Sequence, residues 1–325
     1  MPEVIRWGIL GTGSIAKKFA QGLADTTEAD LVAVGSRTKE KADAFADQFQ
    51  IPIRYASYQD LATDPKVDLV YVATPHPFHC ENTILCLENR KGVLCEKPFA
   101  LNHREAKLMI KTARKQNTFL MEAMWTRFMP AMVQLRQLLA KGVIGEVRML
   151  TADFGFRSEV NPENRLFNLE LGGGALLDVG VYTVSLSSMV FGQPSQIATL
   201  ADIGQTGVDE QAGVLLLHNQ GQISILNTAI RTNTPQEAML MGTEGQIKIE
   251  SPWWIPTRIT VKGEMHDIPF EGNGYNYEAM EAMKCFRAGQ IESQIMPHQE
   301  TLSIMKSLDQ IRQQWNLTYP SEQKD

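Results

Sequence analysis

Cysteine is scarce in this sequence: four of the 325 residues carry a thiol, and no two of them form a C-x-x-C pair. That spacing argues against a disulfide framework or a zinc site, and three of the four cysteines fall in runs typical of buried strands or helices. Low-complexity segments and internal repeats of about 20 to 50 residues are also missing, which excludes repeat architectures. We expect reduced core thiols, no metal site and a cytoplasmic location.

Neither a basic run nor a long apolar run is present. The formal net charge is −6, which argues against a broad nucleic-acid surface. The longest uncharged run, 179–201, contains Gly180, Gly192 and Pro194 and is too broken to cross a membrane. The charged N-terminal residues flank a predicted strand, a pattern unlike a signal or transit peptide. The sequence predicts neither nucleic acid nor a membrane as a partner.

A glycine turn between a strand and a helix lies at the start of the chain. Residues 4–10 are typical of a buried strand, and apolar positions at Ile15, Phe19 and Leu23 indicate the helix that follows. The G-x-G-x-x-A motif between them fits a dinucleotide-binding βαβ unit, with the phosphates at the helix N-terminus and Ala16 at a close helix–sheet contact. The predicted nucleotide contacts here are Gly11, Thr12, Gly13, Ser14 and Ile15.

The end of the second predicted strand, 31–35, indicates which nucleotide binds. Chains that bind NAD carry a carboxylate there for the ribose 2′-hydroxyl, whereas this chain has Ser36 and Arg37. Arg37 offers a charged fork to a 2′-phosphate and Ser36 a hydroxyl. The alternative is that Arg37 lies over the adenine or is simply solvated. The pattern favours NADP as the cofactor over NAD.

Strands and helices alternate up to about residue 123. Six candidate strands occupy 4–10, 31–35, 53–55, 68–74, 92–95 and 119–122, with helical periodicity between most of them. This alternation requires a parallel sheet with crossover helices, and 325 residues are enough for about two domains. We predict an α/β protein whose N-terminal domain, 1–123, is a Rossmann doubly wound sheet.

The pattern changes in the second half of the chain. After a helix predicted at 130–141, polar and apolar residues alternate at 147–151 and 223–227, which is typical of antiparallel strands with one buried face. Hairpin turns are indicated at 219–221, 242–245 and 262–263. Further helices are predicted at 172–191, 277–287 and 299–315. Residues 124–325 therefore form a predicted α+β domain.

Reactive side chains follow three of the predicted strands, at the edge where a doubly wound sheet binds ligands. Lys97 comes directly between an apolar strand and a proline, which favours a functional role over a structural salt bridge. Glu96 and Glu122 are interpreted as structural groups that orient the loops or pair with lysine. His76 and His79 suit either a contact near the nicotinamide or hydrogen bonding within the loop. The candidate cofactor contacts at these ends are Thr74, Pro75, His76, His79, Glu96 and Lys97.

The order of the motifs resembles the Gfo/Idh/MocA oxidoreductases over the whole chain. The segments that carry the resemblance are 11–16, 73–75 followed by His79, 96–98, 172–174 leading to 178–182, and 242–245. It implies a Rossmann domain followed by a domain with a large open, mostly antiparallel sheet that mediates oligomerisation. Tyr182 stands where the family usually has histidine. With the run 125–130, this departure is similar to the branch of NADP-dependent trans-dihydrodiol and D-xylose dehydrogenases.

The chemistry of Tyr182 follows from the reaction that such a cofactor performs. Oxidation of an alcohol removes a hydride from carbon and a proton from oxygen, so a nearby group must accept the proton. A free tyrosine has a pKa near 10, and a lysine ammonium within about 4 to 6 Å lowers it. We predict that Lys97 and Tyr182 act together, with Asp178 orienting the substrate or Lys97. The alternative is that Tyr182 only packs on its helix.

Aromatic and arginine side chains indicate where the substrate binds, although they do not identify it. Aromatic rings suit the apolar faces of a sugar or a cyclohexadiene diol, and arginines suit its hydroxyls, although aromatics in the second half also suit core packing. The candidate substrate contacts are Trp125, Arg127, Phe154, Phe156, Arg157, Arg165 and Trp254.

The sequence predicts an NADP-dependent oxidoreductase that transfers a hydride between the nicotinamide and a carbon of a polyhydroxylated ring. The alternatives are a non-catalytic NADP-sensing regulator and an NAD-dependent glycosidase of similar fold. The presence of both Lys97 and Tyr182 favours an enzyme over the regulator, while Ser36, Arg37 and the branch indicated by Tyr182 argue against the glycosidase. A homodimer through the second-domain sheet is also expected. The second face of that sheet carries apolar residues that a monomer would expose, among them Leu215, Leu217, Ile225 and Met239.

Overall fold

The computed structural model describes residues 4–323; the ends of the two predicted domains, 1–3 and 324–325, lie outside it. The chain divides into two compact units. The first unit contains the residues up to Ala100, Arg104–Phe128 and Glu271–Thr301. The second unit contains Leu101–His103, Met129–Phe270 and the residues from Leu302 on.

A six-stranded parallel sheet forms the centre of the first unit. Its order is β3-β2-β1-β4-β5-β6, and every neighbouring pair is parallel. The last three strands are buried along their whole length, as expected when helices cover both faces. The strands are β1 (Ile5–Leu10), β2 (Ala29–Gly35), β3 (Ile53–Tyr55), β4 (Leu69–Val72), β5 (Gly92–Glu96) and β6 (Leu120–Ala123). The Rossmann prediction is confirmed.

The helices between these strands follow the predicted pattern with two differences. The helix after β4, which the sequence pattern predicts at about 82–88, begins at His79, three residues earlier. A six-residue helix after β3 was not predicted because one and a half turns show no periodicity. The helices are α1 (Ser14–Ala24), α2 (Lys39–Phe49), α3 (Tyr58–Thr63), α4 (His79–Glu88), α5 (His103–Gln116) and 3₁₀ turns at His76–Phe78 and Trp125–Phe128.

An eight-stranded sheet forms the second unit, in the order β14-β13-β12-β11-β7-β10-β9-β8. Its neighbours are antiparallel except β7 and β10, which are parallel. The predicted hairpins at 219–221, 242–245 and 262–263 are confirmed. The strands are β7 (Val147–Gly155), β8 (Gln196–Ile203), β9 (Asp209–Leu217), β10 (Ile223–Ala229), β11 (Ala238–Gly242), β12 (Gly245–Ile249), β13 (Arg258–Val261) and β14 (Glu264–Asp267).

A buried helix lies against β7 and β10 on one face of this sheet. It consists of a π-helical segment, Leu176–Gly180, followed without a break by α7 (Val181–Phe191). By length and composition alone Leu169–Phe191 would suffice to cross a membrane, yet 78% of its most apolar window is buried inside the protein, as in a core helix. The other helical segments are α6 (Pro130–Ala140) and 3₁₀ turns at Arg165–Phe167 and Leu169–Leu171.

The opposite face of the sheet exposes apolar side chains. Along β9, Val214 and Leu216 are buried, whereas Leu215 between them is 45% exposed. Ile225 on β10 lies opposite Leu215, and Leu200 on β8 is 84% exposed. Because successive side chains of a strand point to opposite faces, one set is buried against the helix and the other set lies at the surface.

The segment after this sheet returns to the first unit, so the observed division differs from the predicted boundary at residue 123. It contains α8 (Tyr275–Arg287), which packs on α1 and β5, and Ile291, whose carbonyl accepts the Leu120 N–H at 3.0 Å. Sequence order alone does not reveal such a return. The chain then continues through α9 (His298–Gln314) and a 3₁₀ turn at Pro320–Gln323.

Candidate active site

The glycine turn after β1 requires its first glycine. Gly11 has φ +102°, and a β-carbon there would lie 2.6 Å from the carbonyl oxygen of Ala73. Its N–H donates to the carbonyl of Gly35 at 2.9 Å, which ties the turn to the end of β2. Ala16 is fully buried. The predicted tight turn and the close helix contact are both present.

The N-terminus of α1 is open to a ligand. A β-carbon at Gly13 would meet no atom within 4 Å, and Gly13 and Ser14 are exposed. No side chain among residues 4–323 caps this helix, and its first turn contains no acidic residue. The first N–H groups of α1 and the positive end of its dipole can therefore bind an anion such as a pyrophosphate.

The end of β2 carries a cation where other chains have a carboxylate. Ser36 is buried and its N–H donates to the carbonyl of Tyr55 at 3.0 Å, whereas Arg37 is exposed. Burial raises the pKa of Tyr58, and the positive charge of nearby Arg37 opposes that rise. Arg37 is therefore a solvent-facing cation beside an aromatic ring.

His79 ties together two of the loops that follow strands. Its Nε2 lies 2.7 Å from the carbonyl oxygen of Thr74, and its Nδ1 lies 2.8 Å from that of Pro98. The ring is 1% exposed, and the ring of buried His76 packs edge-on against it at 5.7 Å. Hydrogen bonding within the loops, one of the two roles expected for this histidine, is thus present.

Glu96 fixes the backbone at Lys97. One carboxylate oxygen accepts the Lys97 N–H at 3.0 Å, and the other accepts the hydroxyl of Tyr71 on β4. Glu96 is buried, Lys97 is partly exposed, and the peptide bond between Lys97 and Pro98 is cis. The orienting role expected of Glu96 fits this arrangement.

Two further carboxyl groups are buried near these strand ends. Burial raises the pKa of Glu122 to about 7. Burial and the neighbouring Glu96 raise the pKa of Glu278 on α8 well above its usual range, and neither Glu278 oxygen has a hydrogen-bond partner among the residues that the structure describes. Sequence reasoning missed Glu278, although its spacing from the apolar residues Ala282 and Cys285, four and seven positions later on α8, was a signal.

Trp125 and Arg127 lie in the 3₁₀ turn after β6. The indole of Trp125 stacks on the ring of Tyr275 with centroids 4.6 Å apart. Arg127 is buried, and its guanidinium pairs with Glu300 at 2.6 Å. The structure therefore gives Arg127 a structural ion pair, and its predicted contact with substrate stays a prediction.

Aromatic rings surround Tyr182 in the second unit. Phe154 on β7 contacts the Tyr182 ring with centroids 5.3 Å apart, and the indole of Trp254 stacks on Phe154 at 3.5 Å. The neighbouring Trp253 is buried and donates its indole N–H to the carbonyl of Asp153 at 2.7 Å, which anchors this segment to the sheet. Three predicted site residues, Phe154, Tyr182 and Trp254, thus form one aromatic cluster.

An ion pair lies on the same helix as Tyr182. Arg165 donates to Asp178 at 2.7 Å, with 38% of the arginine side chain and 14% of the aspartate side chain exposed. In a regular α-helix, the four residues from Asp178 to Tyr182 would make about one turn. The structure instead has a π-helical segment at Asp178, in which hydrogen bonds span five residues, and such segments often occur at functional sites.

The remaining predicted substrate contacts, Phe156 and Arg157, directly follow β7 in the chain. Phe156 donates its N–H to the carbonyl of Ala229 at 3.1 Å. The backbone of exposed Arg157 pairs with that of Arg231 as an isolated antiparallel β-bridge.

The described residues contain no group of three or more His, Cys, Asp or Glu side chains that could hold a metal ion. Lys97 belongs to the first unit and Tyr182 to the second.

Comparison with known proteins supports this reading of the two units. Residues 5–124 match the model of an oxidoreductase family with an NAD-binding Rossmann fold, and residues 132–248 match the GFO/IDH/MocA C-terminal domain. A trans-1,2-dihydrobenzene-1,2-diol dehydrogenase from Mus musculus is 39% identical over 334 residues, which cover 98% of this chain and 99% of that protein.

Two solved structures share the fold over 95% of this chain and 97% of theirs, each with a TM-score of 0.86. One is an aldose-aldose oxidoreductase from Caulobacter crescentus complexed with glycerol, at 24% identity. The other is a 3-ketoreductase from Actinomadura kijaniata in complex with NADP and TDP-benzene, at 23% identity. At this identity the likeness shows the fold.

Gly13→Ala tests the open N-terminus of α1. Alanine is a poorer N-cap than glycine, which lowers stability, but it also restricts the unfolded chain, which raises stability. Because these effects offset each other, the free energy of unfolding should change by less than about 0.5 kcal/mol. The methyl group should block close approach of a pyrophosphate and weaken NADPH binding at least about tenfold by titration calorimetry. Gly11→Ala is the contrast, because it should lower the melting temperature as well. Unchanged NADPH affinity in Gly13→Ala would contradict the assignment.

Glu278→Gln tests the buried carboxyl group. Because the folded-state pKa is raised above the unfolded value of about 4.3, the folded chain holds a proton that the unfolded chain releases. Stability from this group is full below that pH and declines as pH rises through the folded pKa. The melting temperature of Glu278→Gln relative to wild type should therefore rise with pH, and that of the exposed control Glu271→Gln should not. A pH-independent difference would refute this.

Proposed function

The chain belongs to the Gfo/Idh/MocA family of oxidoreductases, and from that premise we propose that it is an NADP-dependent dehydrogenase of a polyhydroxylated ring. The substrate class is a sugar such as an aldopentose, or a cyclic trans-dihydrodiol. The observation that carries the proposal is the cluster around Tyr182. There the Tyr182 ring contacts an aromatic stack, and Asp178 on the same helix pairs with Arg165, in a chain whose first unit has an open dinucleotide turn.

The residues of the first unit fit NADP. The N–H groups at Gly13 and Ser14 suit the pyrophosphate, and Ser36 with Arg37 suits a 2′-phosphate, since no carboxylate stands there to repel it. Hydrogen bonds that involve Thr74, His79 and Glu96 fix the loops at the ends of β4 and β5. When bound, the nicotinamide accepts or supplies the hydride, and the protein must handle the proton.

Tyr182 transfers that proton in the proposed reaction. Its side chain is 6% exposed and its ring contacts Phe154. An ordinary tyrosine holds its proton too tightly to act as a base near neutral pH. The ammonium of Lys97 would stabilise the phenolate and grip the substrate oxygen. Lys97 is suited to this because Glu96 fixes its backbone and leaves its side chain partly exposed.

The residues around Tyr182 support a ring-shaped polar substrate. The stacked faces of Phe154 and Trp254 suit the apolar face of a sugar or diol ring, while Arg165 and Asp178 supply donors and acceptors for hydroxyls. The name of the Mus musculus relative, a trans-1,2-dihydrobenzene-1,2-diol dehydrogenase, points to the same chemistry.

The open face of the eight-stranded sheet supports a homodimer. Leu200, Leu215 and Ile225 expose 84%, 45% and 38% of their surface on adjacent strands, and exposed apolar side chains of this kind suit coverage by a second copy. We further propose a cytoplasmic location, because all four cysteines are free thiols.

Arg37→Ala tests the choice of NADP. Loss of a hydrogen bond to a charged group should weaken NADPH binding by roughly 1.5 to 3 kcal/mol and leave NADH binding nearly unchanged. Lys39→Ala is the matched control, because Lys39 is a neighbouring exposed cation that pairs with Asp43 at 2.7 Å. Titration of both cofactors against all three proteins gives the answer. Equal losses for NADPH and NADH in Arg37→Ala would reject the assignment.

Tyr182→Phe tests the proton transfer. The variant keeps the ring and its contact with Phe154, so it should fold normally, bind NADPH as tightly as wild type and lose about 10²- to 10⁴-fold in kcat. Lys97→Met should lose at least as much, and the double variant little more than the poorer single one. Full activity in Tyr182→Phe would assign the proton acceptor elsewhere.

Leu215→Glu tests the homodimer. Light scattering should give about twice the 36.3 kDa chain mass for wild type and the chain mass for the variant, because a charge in the apolar face opposes its burial. Leu108→Glu, on an equally exposed leucine of α5, should remain dimeric. A wild-type mass near 36.3 kDa at micromolar concentration would exclude the dimer.

A further inference from the structure

The helix that carries Asp178 and Tyr182 begins at a carboxyl group from a different element. Asp209, the first residue of β9, accepts the Leu176 N–H on its Oδ2 at 2.6 Å. Leu176 is the first residue of the π-helical segment, and Asp209 is completely buried. A carboxyl oxygen at a helix N-terminus satisfies an N–H that has no partner within the helix and interacts favourably with the helix dipole.

The glycines before the helix make room for this carboxyl group. Gly174 has φ +119°, and a β-carbon there would collide with Oδ1 of Asp209. A β-carbon at Gly173 would lie 2.7 Å from the carbonyl oxygens of Arg165 and Leu166. The glycine run therefore does more than form a turn: it lets Asp209 reach the start of the helix and lets the Arg165 segment pack beside it.

Two other side chains hold the same helix start. Tyr319, fully buried, donates its hydroxyl to the carbonyl oxygen of Gly173 at 3.0 Å. Thr228 on β10 donates to the carbonyl oxygen of Ala175 at 3.2 Å. Asp209 is the member of this set that holds an N–H of the helix itself, so it fixes where the first turn begins.

The position of this contact along the helix relates it to the proposed chemistry. Asp178 lies two residues after Leu176, and Tyr182 lies six residues after it. A shift of the first turn would move the Asp178 carboxylate relative to Arg165 and the Tyr182 ring relative to Phe154, both of which now make close contacts. A displacement of about 1 Å can cost roughly a hundredfold in rate.

We propose that Asp209 is a positioning residue, which sets the place of Asp178 and Tyr182 through the N–H of Leu176. This inference rests on the proposed function, because it assigns Asp209 a role in the reaction of Tyr182. Keeping a carboxyl group there is costly, since burial raises its pKa to about 7. A role in placing the helix accounts for a buried carboxyl group at this position.

Asp209→Ala and Asp209→Asn test the proposal. The asparagine oxygen can still accept the Leu176 N–H, whereas alanine cannot. The alanine variant should lose about tenfold or more in kcat, with NADPH affinity unchanged, and asparagine should restore most of it. Hydrogen–deuterium exchange should rise in a peptide covering 174–182 in the alanine variant only. Glu264→Ala, an exposed acidic residue of the same sheet, should change none of these.

A comparison of Asp209→Ala in wild type and in Tyr182→Phe distinguishes a positioning role from a general loss of folded protein. If Asp209 acts through Tyr182, adding Asp209→Ala to Tyr182→Phe should lower the residual kcat by less than about twofold. An equal fractional loss in both backgrounds, or wild-type kcat and exchange in Asp209→Ala, would overturn the proposal. If the alanine variant does not fold, Asp209→Ser, whose hydroxyl is too short to reach Leu176, replaces it in every comparison.

The same experiments distinguish this inference from the proposed function. Full activity in Tyr182→Phe alone would defeat the proposed proton transfer, and with it the role of Asp209 in the reaction, while the exchange measurement would still report on the helix start. Loss of activity in Tyr182→Phe together with wild-type kcat in Asp209→Ala would defeat only the positioning role.

Discussion

Gly11 lies where β1 turns into α1, with its Cα facing the carbonyl oxygen of Ala73 at the end of β4. This close approach brings the helix N-terminus to the carboxyl edge of the parallel sheet, where β1, β4 and β5 end side by side. The anion site at α1, the His79 bridge between two loops and the fixed backbone of Lys97 all occupy that edge. A side chain at Gly11 would separate them.

In the second unit, the candidate functional groups depend on where one buried helix begins. On one face, strands β7, β9 and β10 of its eight-stranded sheet pack against a buried helix, which also carries the polar side chains of Asp178 and Tyr182. A π-helical segment, two glycines in close contacts and the carboxyl group of Asp209 define where this helix begins. The aromatic stack beside Tyr182 and the Arg165–Asp178 pair then provide an apolar face and polar groups within the same unit.

Local sequence patterns predicted the features of the structure that depend on residues close together in the chain. The glycine turn, six parallel strands, three hairpins and the strand-end position of Lys97 all follow from spacing or β-branched runs. Contacts between distant residues were not predictable. Glu278 lies 182 residues from Glu96, and Asp209 lies 33 residues from Leu176. The return of α8 to the first unit and the π-helical segment also depend on tertiary packing, which periodicity does not record.

The most direct test of the central claim is a search for the reaction itself. Pure protein is incubated with NADP and a panel of pentoses, hexoses and cyclic trans-diols, while the absorbance of the reduced nicotinamide is followed. The account predicts that at least one pentose, hexose or diol gives sustained reduction of NADP, faster than with NAD. Tight binding of NADP without reduction by any member of the panel would contradict it and would favour a cofactor-sensing regulator.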